Sequence, residues 1–162
     1  MKKIYKSDFT LLDERLIICS TDSGLCSLSH DVPNIKGAEW ITGKEAEQKN
    51  QEYVNEMLAY ATGTVSDFNW TYDLTGTPFQ LEVWDALRTI PYGATCTYSD
   101  IAEMIGRPRA VRAVGGAIGR NPVLISIPCH RVIGKNGKLT GFSSGLHLKR
   151  RLLDIEAVPY ND

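Results

Sequence analysis

The pattern of apolar and polar positions changes character near the middle of the chain. LIICS at 16–20 is a compact apolar run and GLCSLS at 24–29 alternates, with turn-forming TDSG between them, so the pair predicts two strands joined by a tight hairpin. Tyr53, Val54, Met57, Leu58 and Ala61 recur at helical spacing and stop at Gly63, which predicts an amphipathic helix. SDFNWTYDLTG at 66–76 is polar and aromatic without a period and reads as a linker. No catalytic grouping stands out in this half, which reads as a scaffold.

Helical patterns dominate after the linker. Thr77 and Gln80 form a capping box with Pro78 at the first helical position, and Phe79, Val83, Trp84 and Leu87 define the buried face of the helix that follows. IPYG at 90–93 stops it. A second helix opens at Thr97 with Asp100 as its capping partner and runs to Gly106; a third opens at Pro108 and runs to about Gly119. Two short helices joined at Gly106-Arg107 make a helix-turn-helix pattern. Arg107, Arg109, Arg112 and Arg120 lie on or beside its second helix, the position that meets nucleic acid in DNA-binding units, although many such units are only structural. Gly115-Gly116 within a helix costs about 1 kcal/mol per glycine relative to alanine, and predicts a close approach to that backbone.

Composition is that of a globular protein: 162 residues, 43% apolar and 23% charged. The length suits one domain or two small ones. The N-terminus has no apolar core of a secretory signal and no run approaches a membrane span, so the expected location is intracellular and cytoplasmic, away from membranes. The net charge of −1 is unevenly spread. Residues 76–162 carry 11 Lys+Arg against 7 Asp+Glu, whereas the first 75 carry 7 against 12. A basic second half suits a polyanionic partner, or is simply solvated surface. Cys19, Cys26, Cys96 and Cys129 are too scattered for a disulfide framework, and Cys26 with His30 lacks the further ligands of a zinc site, so no metal is expected.

The candidate chemistry is in ISIPCHRVIGKNG at 125–137. Prolines close the apolar run VLISI on both sides, and Asn136-Gly137 predicts a type I′ hairpin, so Cys129 emerges from buried chain onto a rigid mount. A thiol attacks as thiolate, and an imidazole such as His130 can take its proton while a carboxylate orients the imidazole. On extended chain the two side chains point apart, which predicts a relay through water or a turn. Glu156 shares a helical face with Lys149, Leu152 and Leu153, and an acid on that apolar side requires a buried partner. These residues alone leave two readings open, a catalytic thiol and a packed one. A nucleophile on a DNA-facing module would need an electrophile in DNA, reached by flipping a base out of the duplex.

GTPFQLEVWDAL, IPYGATCTYSDIA, RAVGGAIGRNPV, IPCHRV and the closing LL…E, in this order and spacing, resemble the O6-alkylguanine-DNA alkyltransferases, the methylated-DNA–protein-cysteine methyltransferases. The resemblance covers 76–156 closely and the preceding half loosely. It implies an α+β protein, with a small N-terminal α/β (ribonuclease H-like) domain and linker at 1–75. A mainly helical, winged helix-turn-helix-like domain at 76–162 would bind DNA and accept the alkyl group. It implies a suicide enzyme: Cys129 takes the alkyl group as a thioether, once, from O6-alkylguanine, or O4-alkylthymine, in double-stranded DNA. The lesion itself is the alkyl donor, no cofactor is needed, and the protein acts as a monomer. His130 would take the thiol proton through water, Glu156 would hold His130, and Asn121 would brace the loop before Cys129. Tyr98 would donate a proton to the departing guanine and Ser143 would bond its O6. Arg112 would fill the gap left by the flipped nucleotide, small Ala113, Gly115 and Gly116 would let the helix lie against the minor groove, and Arg131 is grouped with the DNA- and substrate-binding residues.

Two departures from the family are visible: Phe142 stands where tyrosine is usual, and the zinc cluster of animal members has no clear counterpart. The alternative reading is a non-catalytic alkylguanine sensor, which carries tryptophan in place of the cysteine. A Cys-His hydrolase leaves the arginine helix unexplained, and a transcription regulator leaves Cys129, His130 and Glu156 unexplained.

Overall fold

A computed structural model describes residues 2–140 and 145–161. The chain divides into two compact units, with the division between Thr75 and Gly76. In the first, β1 (Lys2–Leu11), β2 (Glu14–Thr21), β3 (Gly24–Ser29) and β4 (Ala38–Ile41) form one sheet in the order β3-β2-β1-β4. β1, β2 and β3 are antiparallel neighbours, and β4 joins β1 in parallel. β1 buries Ile4, Tyr5 and Leu11 while Lys2, Lys3 and Asp8 stay exposed.

Helix α1 (Lys44–Ala61) covers β1 and β2 with Ala46, Asn50, Met57 and Tyr60. It begins well before the apolar periodicity, because Ala46 is the one apolar side chain in its first two turns. Asn50 is buried at no cost in unpaired groups: its Nδ2 donates to Tyr5 O (3.1 Å) and Ser7 Oγ (3.0 Å), and its Oδ1 accepts from Ser20 (2.5 Å). The segment read as a linker belongs to this unit. Leu25 N–H donates to Thr71 O (3.0 Å) and Asp73 N–H to Leu25 O (2.9 Å). Trp70 stands edge-on to Tyr53 at 5.1 Å, and Phe68 lies 5.7 Å from the Tyr60 ring. That pairing requires Gly24, where a Cβ would sit 2.4 Å from Thr71 O.

The second unit contains α2 (Pro78–Leu87), β5 (Cys96–Thr97), α3 (Tyr98–Met104), α4 (Val111–Gly119), β6 (Val132–Ile133) and α5 (Leu146–Ile155). Both capping boxes form. Thr77 Oγ1 accepts from Gln80 N (3.1 Å) while Gln80 Oε1 accepts from Thr77 N (3.0 Å), and Thr97 and Asp100 repeat the exchange. Val83, Trp84 and Leu87 are buried as the helical period requires, and Trp84 Nε1 donates to Ala117 O (2.9 Å), tying α2 to α4. α4 starts three residues later than expected. Pro108 lies in the turn and Ala110 caps the helix, so the turn carries Arg107 and Arg109 and the helix carries Arg112.

These elements put the chain in the α+β class. Among the described residues no helix is long and apolar enough to cross a membrane, and no group of three or more His, Cys, Asp or Glu is arranged to hold a metal ion.

Candidate active site

The approach to Cys129 is turned rather than extended. VLISI is buried at Val123, Leu124, Ile125 and Ile127, as its composition demands, but it forms no strand. Ile125 has φ 73° and Ser126 N–H donates to Leu124 O (2.8 Å), a γ-turn in the left-handed region that a β-branched residue adopts at a cost of about 1–3 kcal/mol. Asn121 closes this loop from within: its Nδ2 donates to Ile127 O (2.7 Å) and its Oδ1 accepts from Val123 N (3.0 Å).

Pro128 then leads into a single 3₁₀ turn, Cys129–Arg131, closed by Arg131 N–H on Pro128 O (3.0 Å). The adjacent Cys and His therefore do not alternate as on a strand. The following turn also differs from expectation. Gly137 N–H donates to Gly134 O (2.9 Å) and only Gly137 is left-handed (φ 77°), whereas type I′ needs positive φ at both central residues. Gly137 alone takes the strained position, and no strand ladder grows from this turn. β6 instead pairs with β5, Cys96 opposite Val132 and Thr97 opposite Ile133. That pairing ties the start of α3, where Tyr98 sits, to the chain leaving Cys129–Arg131.

Glu156, the residue capping the C-terminus of α5, collects the donors of the site. It is 4% exposed and accepts from His130 Nε2 (2.7 Å), Arg131 Nε (2.8 Å) and Nη2 (3.1 Å), and Gly93 N–H (3.0 Å). Burial alone would raise its pKa, but the hydrogen bonds from His130 and Arg131 outweigh it and hold the carboxyl at about 2. An ionised carboxylate only accepts, so the proton of neutral His130 sits on Nε2 and Nδ1 carries the lone pair. Burial pushes the His130 pKa down, against the pull of Glu156. The imidazole is thus neutral and basic at Nδ1.

Cys129 is 4% exposed, and burial pushes its thiol up to about 11. Asn121, the positive charge of Lys149 and the backbone N–H groups of Cys129 and His130 act the other way, favouring the thiolate once it forms. Lys149 is itself buried, lowered to about 8 by desolvation, and its Nζ donates to Val132 O (2.6 Å). The thiol at rest is protonated, with its stabilising groups already in place.

The expected site residues therefore separate into three places. Cys129, His130, Asn121 and Glu156 are all buried, and Glu156 bonds His130. Arg131, grouped by sequence with the DNA-contacting residues, is 6% exposed and turned inward, donating to Glu156 and, through Nη1, to Ile90 O (2.7 Å). Tyr98 is half-buried on α3, its hydroxyl 2.6 Å from Thr140 Oγ1. A Cβ at Gly115 would meet its ring at an ordinary 3.8 Å, so nothing in this unit demands that glycine. Arg112, Ala113 and Gly116 lie exposed on α4, with open space above Gly116. Ser143 and Phe142 lie outside the described residues. Sequence reasoning missed the buried Lys149 and the contact of Thr140 with Tyr98; the one signal for Lys149 was a cation on the apolar face of α5.

Acid titration follows from these shifts. A carboxyl held at about 2 when folded, against 4.5 ordinarily, contributes stability fully above pH ~4.5 and loses it as pH falls towards 2. His130, lowered in the fold, contributes in the same sense below its ordinary value of 6.5. The protein is expected to lose about 3 kcal/mol through Glu156 between pH ~5 and 2, checked by denaturant unfolding across that range. Unchanged stability there would contradict the buried charge network.

Comparison with known proteins places these features in context. Residues 78–158 match the family model described as 6-O-methylguanine DNA methyltransferase, DNA binding domain. Over 161 residues the chain is 45% identical to the inducible methylated-DNA–protein-cysteine methyltransferase of Bacillus subtilis, covering 94% of this chain and 90% of that protein. It is 53% identical over 103 residues to the methylated-DNA–protein-cysteine methyltransferase of Mycobacterium bovis, covering 64% of this chain and 62% of that one. The crystal structure of Mycobacterium tuberculosis OGT in complex with DNA superposes with a TM-score of 0.82 at 40% identity, covering 95% of this chain and 92% of that one.

Proposed function

The chain belongs to the 6-O-methylguanine DNA methyltransferase family, and from that membership we propose that it repairs alkylated DNA by moving the alkyl group of O6-alkylguanine onto Cys129, once per molecule. The observation that carries this reading is the buried 2.7 Å bond between His130 and Glu156, next in the chain to a thiol that must be deprotonated to act.

The step proceeds in line. As the flipped base enters, His130 Nδ1 takes the thiol proton through water, and the resulting imidazolium is stabilised by Glu156. The sulfur lone pair forms the S–C bond while the C–O6 bond breaks, and the electron pair departs on guanine. Tyr98 supplies the proton that neutralises it. The thiolate, while it exists, is held by Asn121, Lys149 and the backbone N–H groups at the head of the 3₁₀ turn. Arg131 keeps Glu156 ionised rather than touching DNA.

The exposed face of α4 meets the duplex, with Arg112 replacing the flipped nucleotide in the stack and Ala113 and Gly116 allowing close approach. A thioether is a poor leaving group, and none of these groups is placed to hydrolyse it, so the protein is spent by its reaction. Its DNA substrate sets the compartment, inside the cell, where reducing conditions keep Cys129 free.

Incubation with a duplex oligonucleotide whose O6-methylguanine carries a labelled methyl group tests this reading. Label is expected to reach at most one equivalent per protein, in the peptide containing Cys129. Label freed as a small molecule, or turnover beyond one equivalent, would overturn it.

A further inference from the structure

The contact between Tyr98 and Thr140 spans 42 residues of sequence at 2.6 Å, the closest bond made by Tyr98 among the described residues. From it we infer that Thr140 is a positioning residue for the alkyl transfer, its hydroxyl aiming the Tyr98 proton at the departing base and stabilising the oxygen that gives it up. The inference rests on Tyr98 being the proton donor.

Thr140 is delivered to this position by a short clamp. Asn161 N–H donates to Gly137 O (2.9 Å), Leu139 N–H donates to Asn161 O (3.2 Å), and Asn161 Nδ2 donates to Asn136 O (2.7 Å). Gly134 N–H reaches Lys138 O (2.9 Å) in the same turn. The methyl of Thr140 fills the space beside Gly134, where a Cβ would lie 3.4 Å from its Cγ2. The chain leading to Thr140 and the Thr140 side chain are thereby held. On the other side, Tyr98 is fixed as the first residue of α3, directly after the capping residue Thr97.

The chemistry follows from proton counting. A phenol and an alcohol carry one proton each, and a single bond between them uses one. With Thr140 as donor, the Tyr98 proton is left to point away from Thr140, towards guanine. When Tyr98 transfers it, Thr140 keeps its own proton, and the bond to the new phenolate becomes charge-assisted, stronger than the neutral bond it replaces. Thr140 thus favours the transition state over the ground state, which is the condition for accelerating the step. Tyr98 regains its proton from solvent after the repaired base leaves.

Single-turnover rates on the O6-methylguanine duplex, measured for four variants alongside duplex affinity, test this. Thr140→Val keeps the shape and removes the hydroxyl. It is expected to slow transfer on the order of tenfold, the loss of one hydrogen bond to a charged group, with duplex affinity unchanged. Thr140→Ser is expected to restore the rate. Tyr98→Phe is expected to be slower still, and adding Thr140→Val to it is expected to cause no further loss, since the two hydroxyls act as a unit.

Equal losses from Thr140→Val in both Tyr98 backgrounds would overturn the inference, as would an undiminished rate in Thr140→Val itself. A slow Tyr98→Phe beside a fast Thr140→Val removes Thr140 alone. A full-rate Tyr98→Phe removes the assignment of Tyr98 and this inference with it. If Thr140→Val is slow because it misfolds, Thr140→Ser and a melting curve identify that case, and slow Thr140→Ser with a native melt counts against the inference.

Discussion

Replacing Cys129 with serine is expected to abolish labelling of the protein while leaving its affinity for duplex DNA intact. The two proteins differ by one atom, and that atom decides whether the proton can be removed. Asn121, the positive charge of Lys149 and the backbone N–H groups of Cys129 and His130 all favour a thiolate at this position. A serine hydroxyl is a far weaker acid than even a thiol raised to about 11, so a neutral imidazole cannot strip its proton to a useful extent. Loss of a covalent nucleophile typically lowers rates by roughly 10⁶, which for a single-turnover reaction is no reaction at all. Arg112, Ala113 and Gly116, proposed above to face DNA, lie on α4, a separate element, and remain unchanged. The measurement is label transfer beside a gel-shift titration with the same duplex. Residual stoichiometric labelling of the serine variant would mean that another residue is the acceptor.

Glu156→Gln is expected to damage both stability and transfer. The carboxylate accepts four hydrogen bonds, from His130, Gly93 and twice from Arg131. The amide offers one acceptor atom and turns the other into a donor facing donors. Arg131, 6% exposed, is left with the carbonyl of Ile90 and no neutralising charge. Removing one partner of a buried ion pair typically costs about 3–5 kcal/mol, a large share of a small protein's stability. Of the catalytic effect, about 10²–10⁴ is at stake, because His130 loses both its fixed tautomer and the charge that stabilises its protonated form. Denaturant unfolding and single-turnover rates read the two effects separately. A variant as stable as the parent would refute the charge network, and one that is destabilised but fully active would remove Glu156 from the proton path.

What the sequence revealed, and what it concealed, divides along physical lines. Local chemistry was legible: the Thr77/Gln80 and Thr97/Asp100 boxes cap helices α2 and α3, and strands form where the apolar run LIICS and the alternating GLCSLS predict them. β1 was missed because its burial does not alternate: Ile4, Tyr5 and Leu11 are buried among exposed Lys2, Lys3 and Asp8, which leaves no period-2 signal. The first half of α1 was missed because its buried face relies on Asn50, whose burial is permitted only by partners on the sheet.

Within the site, Glu156 on an apolar helix face demanded a buried partner, and His130 and Arg131 supply it. The direction of Arg131 was not legible. Side chains in a 3₁₀ turn do not alternate, and the turn follows a γ-turn at Ile125, a conformation that no propensity assigns to isoleucine. Thr140 was invisible for a simpler reason. Its partner is 42 positions away, and a lone threonine has no local signature.

The covered, neutral state of Cys129 has a consequence for selectivity against the wrong reagents. A cell exposed to alkylating agents contains many small electrophiles and oxidants, and an exposed thiolate would react with whichever arrived first. For an enzyme that turns over, such a side reaction is a temporary loss; for a molecule that acts once, it is permanent. A thiol that is 4% exposed and protonated offers these bystanders little access and little nucleophilicity. In the step proposed above, its reactivity appears when a base fills the site and the proton moves to His130. Discrimination therefore lies in the resting chemistry of the sulfur as well as in recognition of the lesion, and it keeps the whole pool of protein molecules loaded for DNA.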